Sequence, residues 1–381
     1  MHIPSLLLAA AAFLGVLAGS STVEAVGKSS VREDIERALM EVHNKQRNVG
    51  LSAAVLLRGV RLYSGCLGHA DLEHRVPVKP ETRFGIASVT KGFTGIALLK
   101  LREAGRIDID APIQLYVPTF PQKMGGMITA RLLAAHLAGI RHWGAERTPA
   151  LYSTHYDGVA EILRLFQGDP LVAEPGTKYS YSSCGYNVLG AAIQSAAGIS
   201  FQRYVERTLL RPFELKNTQF DDVRRVIPNR SRRYSFYSPT TYAESAELFR
   251  VPDWDYSHNM AGGNMLSTAE DLARFGNALI RPGLLSQDSL NLLYTRPTTA
   301  RCESPMSFGW FVSRPGATHR EIHTTGSNVG VQAGLYVYPE EQLVVAILSN
   351  TWGIGSRSAE MVTDLPQRIA AICMGWQRES H

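Results

Sequence analysis

Val329-Gly330-Val331-Gln332-Ala333-Gly334-Leu335-Tyr336-Val337-Tyr338-Pro339-Glu340-Glu341-Gln342-Leu343-Val344-Val345-Ala346-Ile347-Leu348 holds two apolar runs rich in Val, Leu and Tyr around a Pro-Glu-Glu break. This pattern predicts strands over 329–338 and 342–348, joined as a hairpin. A matching pair lies near the other end of the chain. Residues 51–57 and 60–65 read as strands, with Arg58-Gly59 at the turn. Helical patterns flank both hairpins. One covers 31–47, with Val31, Ile35, Leu39 and Val42 as its apolar stripe, and another covers about 358–374. Between the hairpins the patterns are mainly helical. The expected fold class is therefore α/β (α+β): a mixed, mainly antiparallel sheet built from both termini, flanked by helices, with an inserted, mostly helical lobe. Residues 26–106 and 300–381 are assigned to the α/β lobe and about 107–299 to the helical lobe, within one domain over 26–381.

The 381 residues are 45% hydrophobic and only 19% charged, which excludes a disordered tail, a fibrous repeat or a small disulfide-stapled module. The net charge of +5 is small for this length and not gathered into a tail, so no nucleic-acid partner is expected. Residues 3–18 are an apolar run followed by Gly19-Ser20-Ser21 and Val23-Glu24-Ala25. It is short for a membrane span and reads as a signal peptide, 1–25, cut after Ala25. An uncleaved anchor is the alternative, since no Lys or Arg precedes the run. The expected location is exported, periplasmic or extracellular, with no stable membrane insertion after cleavage. Cys66, Cys184, Cys302 and Cys373 are scattered without a C-x-x-C pair, so no metal site is expected. They fit four separate thiols or up to two bridges.

Chemistry is suggested at three places. In Phe84-Gly85-Ile86-Ala87-Ser88-Val89-Thr90-Lys91-Gly92-Phe93, Ser88 and Lys91 open a helical pattern that stops at Gly105. Three residues apart, they share one helix face. A lysine so placed can take the proton of a serine that attacks a carbonyl, more readily if burial lowers its pKa. Of the eight lysines, only Lys91 has a serine three residues before it. The pair alone also fits an ordinary helix start. The second place is Tyr181-Ser182-Ser183, in a Tyr/Ser-rich loop after Pro175-Gly176 that enters a helix. Tyr181 can serve as acid or base if a cation lowers its pKa, or can simply pack on the core. The third is His323-Thr324-Thr325-Gly326, before the 329 strand. Small residues there would let a substrate approach backbone N–H groups, although a plain turn is also consistent.

In this order the three pieces resemble the serine β-lactamases and penicillin-binding proteins. The tyrosine version is similar to the class C-like branch with its esterase and peptidase relatives. Further likenesses are Leu132-Leu133-Ala134-Ala135-His136-Leu137-Ala138-Gly139-Ile140, Ala261-Gly262-Gly263-Asn264 and Ser307-Phe308-Gly309-Trp310. The stretch 68–118, with Gly139-Ile140-Arg141-His142 and His323-Thr324, resembles the mitochondrial β-lactamase-like branch of animals. The resemblance implies Ser88 as nucleophile, Lys91 as its deprotonating partner and Tyr181 as second base and proton donor to the leaving group. It implies an oxyanion hole from the N–H groups of Ser88 and Gly326, and no cofactor. It places His323 where the family's strand lysine stands, with Thr324, Thr325 and Ser183 at substrate-binding positions.

Three residues depart from the family pattern. Ser183 replaces the asparagine of Tyr-x-Asn, so a hydroxyl stands where an amide would orient a substrate carbonyl. His323 replaces a lysine, and Thr325 stands where glycine is common. These changes remove a fixed partner for the carboxylate of β-lactams and D-Ala peptides. The expected function is an exported serine hydrolase working through a Ser88 acyl-enzyme, an esterase or peptidase acting on small-molecule ester, amide or peptide substrates. The alternatives are a true β-lactamase or D,D-peptidase, and a filament-forming scaffold with a vestigial site. Relatives that assemble into filaments make a homo-oligomer a further expectation.

Overall fold

The computed structural model describes residues 21–144, 149–238, 241, 243–353 and 357–379. The expected signal segment lies almost wholly outside these residues. The centre is an eight-stranded sheet in the order Val76–Pro77, Val60–Asp71, Gly50–Leu57, Leu343–Ser349, Val331–Tyr338, Ile322–Asn328, Trp310–Val312, Met306–Ser307. Every pairing in it is antiparallel. The two hairpins meet in the middle, with Leu51 opposite Ser349 and Leu57 opposite Leu343. At the first hairpin's turn Arg58 (φ 53°) and Gly59 (φ 77°) both take the left-handed conformation that suits a two-residue connection.

Strands Val331–Tyr338 and Leu343–Ser349 are buried along their whole length. Both faces of the sheet are covered, which is why these strands read as near-continuous apolar runs. One face carries Leu51, Val55, Tyr336, Val345 and Ile347 and packs on the terminal helices, through Ile35 and Leu39 at one end and Leu365 and Ile369 at the other. These helices are Ser21–Gln46, beginning ten residues before the expected 31, and Asp364–Glu379, preceded by the separate helix Arg357–Val362. The other face carries Leu335, Val337, Val344 and Ala346 and joins the main core. The helix Ala269–Ile280 packs there, although it falls in the stretch assigned to the helical lobe. A Cβ on its Gly276 would lie 2.7 Å from Val344 and 3.1 Å from Leu335.

The inserted segment is not purely helical. It contributes strands to two three-stranded sheets, one of Thr351–Trp352, Tyr234–Tyr237 and Glu244–Arg250, the other of Phe84–Gly85, Met265–Ser267 and Gln219–Phe220. Residues 322–328, expected as a lead-in to a strand, form a full strand paired with Val331–Tyr338 from Ile322 to Asn328. On its other side this strand pairs with Trp310–Val312 only at Ile322 and His323. Its edge from Thr324 onward therefore faces the turn that carries Ser88. No helix among the described residues is long and apolar enough to cross a membrane.

Candidate active site

Ser88 sits in a 3₁₀ turn, Ala87–Val89, between the strand Phe84–Gly85 and the helix Thr90–Glu103. The expected single helix thus begins with a tighter turn. Ala87, just before the serine, has φ 42°, a conformation unusual for a residue with a side chain. The strand Ile322–Asn328 packs against this turn. A Cβ on Gly326 would strike the Ile86 carbonyl oxygen and lie 3.0 Å from the Ser88 nitrogen, so only glycine permits this approach.

Ser88 Oγ, partly exposed, accepts a hydrogen bond from the Tyr181 phenol at 2.8 Å and lies 3.1 Å from Lys91 Nζ. Lys91 is fully buried and donates to the Gly262 carbonyl at 2.5 Å. Burial drives its pKa from the ordinary 10.5 to about 7, so a large share of the amine is neutral near neutral pH. Tyr181 behaves in the opposite way. Part of its ring is open to the cleft, but protein crowds the phenol. Burial pushes its pKa up to about 12, against the hydrogen bonds with Ser88 and Ser183 that lower it. The condition on which Tyr181 would act as a base, a cation that lowers its pKa, is therefore not met. Lys91 Nζ lies 4.9 Å from the ring centre, yet burial dominates. Lys91 is the group suited to accept a proton, and Tyr181 the group suited to donate one.

Two histidines hold the tyrosine loop. His136 Nδ1 accepts the Ser182 N–H at 3.0 Å and His142 Nδ1 accepts the Ser183 N–H at 3.1 Å. The ring centres of His136 and Tyr181 are 4.3 Å apart. Burial first, then Lys91 and His142, holds His136 well below its ordinary pKa, which keeps Nδ1 available as an acceptor. Ser182 caps the helix Ser183–Ala197 by accepting from Gly185 N at 2.8 Å. Asn187, one turn further on, receives the Ala261 N–H and donates to the His258 carbonyl, tying this helix to the turn that presents Gly262 to Lys91.

A cavity of about 280 Å³ opens over Ser88 and is lined by Tyr181, Ser183, Thr324 and Thr325 among others. His323 does not line it. Its ring is stacked between Phe311 and Tyr336, at 5.0 and 4.6 Å, and its Nδ1 is 2.7 Å from Glu321 Oε1. Phe311 faces the cavity instead. The expected replacement of the strand lysine by His323 is corrected accordingly, because register places its ring opposite Tyr336. A larger cavity of about 770 Å³, lined by His155, Gln202, Asp222 and Arg224, contains none of Ser88, Lys91 or Tyr181. The one cluster of potential metal ligands among the described residues is Asp71, Glu73 and His74, none of which lines the Ser88 cavity.

Sequence reasoning passed over His136, His142, the Gly262 carbonyl and Asn259. The only signal for the first three was their place in the family-like stretches 132–140, 139–142 and 261–264, and Asn259 had none.

An antiparallel sheet flanked by helices, with a serine, lysine and tyrosine gathered beside its strand Ile322–Asn328, defines a β-lactamase-like protein. The chain belongs to the beta-lactamase family, whose model it matches over residues 32–363. It is 28% identical over 417 aligned positions to the Homo sapiens serine beta-lactamase-like protein LACTB, mitochondrial, covering 82% of this chain and 75% of that one. Among solved structures it is similar in fold to the octameric penicillin-binding protein homologue from Pyrococcus abyssi, with a TM-score of 0.75, 23% identity, and 90% and 77% of the two chains covered. It is also similar to EstCE1, described as a hydrolase with promiscuous acyltransferase activity, with a TM-score of 0.75, 21% identity, and 91% and 99% covered.

Proposed function

We propose that the protein is a serine hydrolase that cleaves small ester, amide or peptide substrates through an acyl-enzyme on Ser88. The observation that carries this reading is the placement of Ser88 Oγ within reach of both Lys91 Nζ and the Tyr181 phenol, with Lys91 lowered to about 7 by burial. In the proposed sequence, neutral Lys91 takes the Ser88 proton as Oγ attacks the substrate carbonyl. The oxyanion is held by the N–H groups of Ser88 and Gly326. The Tyr181 phenol protonates the leaving group as its bond to carbon breaks, and a proton from Lys91 restores the phenol. Water then attacks the acyl carbon as it gives a proton to neutral Lys91, and Lys91 passes that proton to Ser88 Oγ as the acyl bond breaks and the acid leaves. Trp143, Tyr152 and Phe311 on the cavity wall support a substrate with an apolar group.

The test is a panel of p-nitrophenyl esters, D-amino-acid amides, short peptides and nitrocefin, with Ser88→Ala as control. Turnover of esters, amides or peptides that vanishes in Ser88→Ala supports the reading. Fluorophosphonate labelling that persists in Ser88→Ala refutes it. Nitrocefin turnover would assign the alternative β-lactamase activity. Export is proposed from the apolar run 3–18, and the N-terminal sequence of the secreted protein would test it. A homo-oligomer is proposed from the octameric Pyrococcus abyssi relative. Light scattering on the purified protein measures it, and a monomer at all concentrations would refute it.

A further inference from the structure

The triplet Tyr181-Ser182-Ser183 has no carboxamide, and Ser183 does not stand in for one. It is 2% exposed, and its hydroxyl serves the Tyr181 phenol. A carboxamide reaches the same place from a different segment. Asn259 ends the short turn Ser257–Asn259 and lines the cavity over Ser88.

Two glycines make room for it. A Cβ on Gly262 would strike the Asn259 carboxamide oxygen and lie 3.2 Å from Ser183 Cβ. A Cβ on Gly263 would lie 2.5 Å from Asn259 Nδ2 and 3.6 Å from the Ala87 carbonyl carbon. The carboxamide is thus wedged between the start of the Ser183 helix and the turn of the nucleophile. Packing holds it there. Oδ1 is buried and has no hydrogen-bond partner among the described residues. Oδ1 is closed off from the cavity, so Nδ2, which has no partner among the described residues, is the atom a ligand over Ser88 can meet.

The Nδ2 group offers N–H donors, and the carbonyl of a peptide group is their complement. We propose that Asn259 hydrogen-bonds the acylamino group of the substrate, next to the carbonyl attacked by Ser88. It would do from the 257–263 turn what the absent amide of the triplet would do. This inference rests on the Ser88 hydrolase reading and deepens it: the substrates are N-acyl amino-acid derivatives or peptides rather than simple esters.

Boronic acids separate the two claims, because boron binds the serine oxygen reversibly whether or not an amide arm is present. Methylboronic acid and acetamidomethylboronic acid differ in that arm. Their dissociation constants are measured by calorimetry on the full chain, on Asn259→Ala, on the isosteric Asn259→Asp and on Ser88→Ala. In the wild type the acetamido compound should bind more tightly by about tenfold, as expected for one good hydrogen bond. Both Asn259 variants should lose that advantage while binding methylboronic acid within twofold of the wild type. An advantage that survives in the folded variants, or an equal loss for both compounds, overturns the role of Asn259. Binding of neither compound by the wild type, or undiminished binding by Ser88→Ala, overturns the hydrolase reading and the inference with it.

Discussion

Gly326 lies so close to the Ser88 turn that a Cβ at 326 would stand 3.0 Å from the Ser88 nitrogen. Neither side can yield by rotating a side chain, because the contact is backbone on backbone. Gly326→Ala must push the strand Ile322–Asn328 away from the turn. The expected cost is about 1–3 kcal/mol in stability, as for an overpacked site. Turnover should fall by about 10²–10³-fold, as for a lost oxyanion donor. Denaturant melts and steady-state kinetics on the variant measure both, and a fully active Gly326→Ala would remove this strand from the proposed oxyanion hole.

In the proposed reaction Lys91 would set the pH dependence. A base that must be neutral, with its pKa near 7, predicts kcat/KM rising with pH on a single ascending limb centred near 7. Tyr181, pushed up to about 12, stays protonated across the working range and adds no descending limb below about pH 10. Lys91→Arg should lose both the limb and the activity, since a guanidinium does not deprotonate. A rate independent of pH from 5.5 to 9 in the wild type would contradict the base assignment.

The same burial costs stability. Lowering an amine from 10.5 to about 7 corresponds to about 5 kcal/mol favouring the unfolded state below pH 7. The sign follows from proton binding: between these values the unfolded chain binds more protons, so stability rises with pH over that window. Lys91→Met should abolish turnover, raise stability at pH 7 by about 1–4 kcal/mol after the lost bond to Gly262 is counted, and flatten the slope. Urea unfolding at pH 7, 8 and 9 on both proteins gives the difference; parallel slopes would show that Lys91 is charged in the fold.

His142 acts on Tyr181 through the backbone, accepting the Ser183 N–H at 3.1 Å. His142→Asn keeps an acceptor oxygen near the position of Nδ1, whereas His142→Leu leaves the N–H without that acceptor. The leucine variant should lose about 10-fold or more in kcat with little change in KM, and the asparagine variant should recover most of it. Equal loss in both would mean that the ring's packing on Tyr181, at 5.5 Å between centres, is what matters.

Much of this was legible in the chain itself. The three-residue spacing of Ser88 and Lys91 places them one turn apart whatever surrounds them. The runs at 331–338 and 343–349 are apolar because both faces of those strands are covered, so their pattern announced the sheet. The pairing of the first hairpin with the last follows from the same need to bury two apolar ribbons. His323 was misjudged for the converse reason. Spacing along a motif says which residue occupies a strand position, but the strand's register and the rings of Phe311 and Tyr336 decide where its side chain goes.

Sequence alone therefore determined the one-turn spacing of Ser88 and Lys91 and the family to which the chain belongs, because both depend on residues close together or on patterns of burial. Only the tertiary structure decided the chemistry of the site. The lowered pKa of Lys91, the raised pKa of the Tyr181 phenol 90 positions beyond it, the grip of His136 and His142, and the unpartnered amide of Asn259 all depend on how far water is excluded and which distant segments meet. Desolvation belongs to the packed whole, and no stretch of residues encodes it by itself.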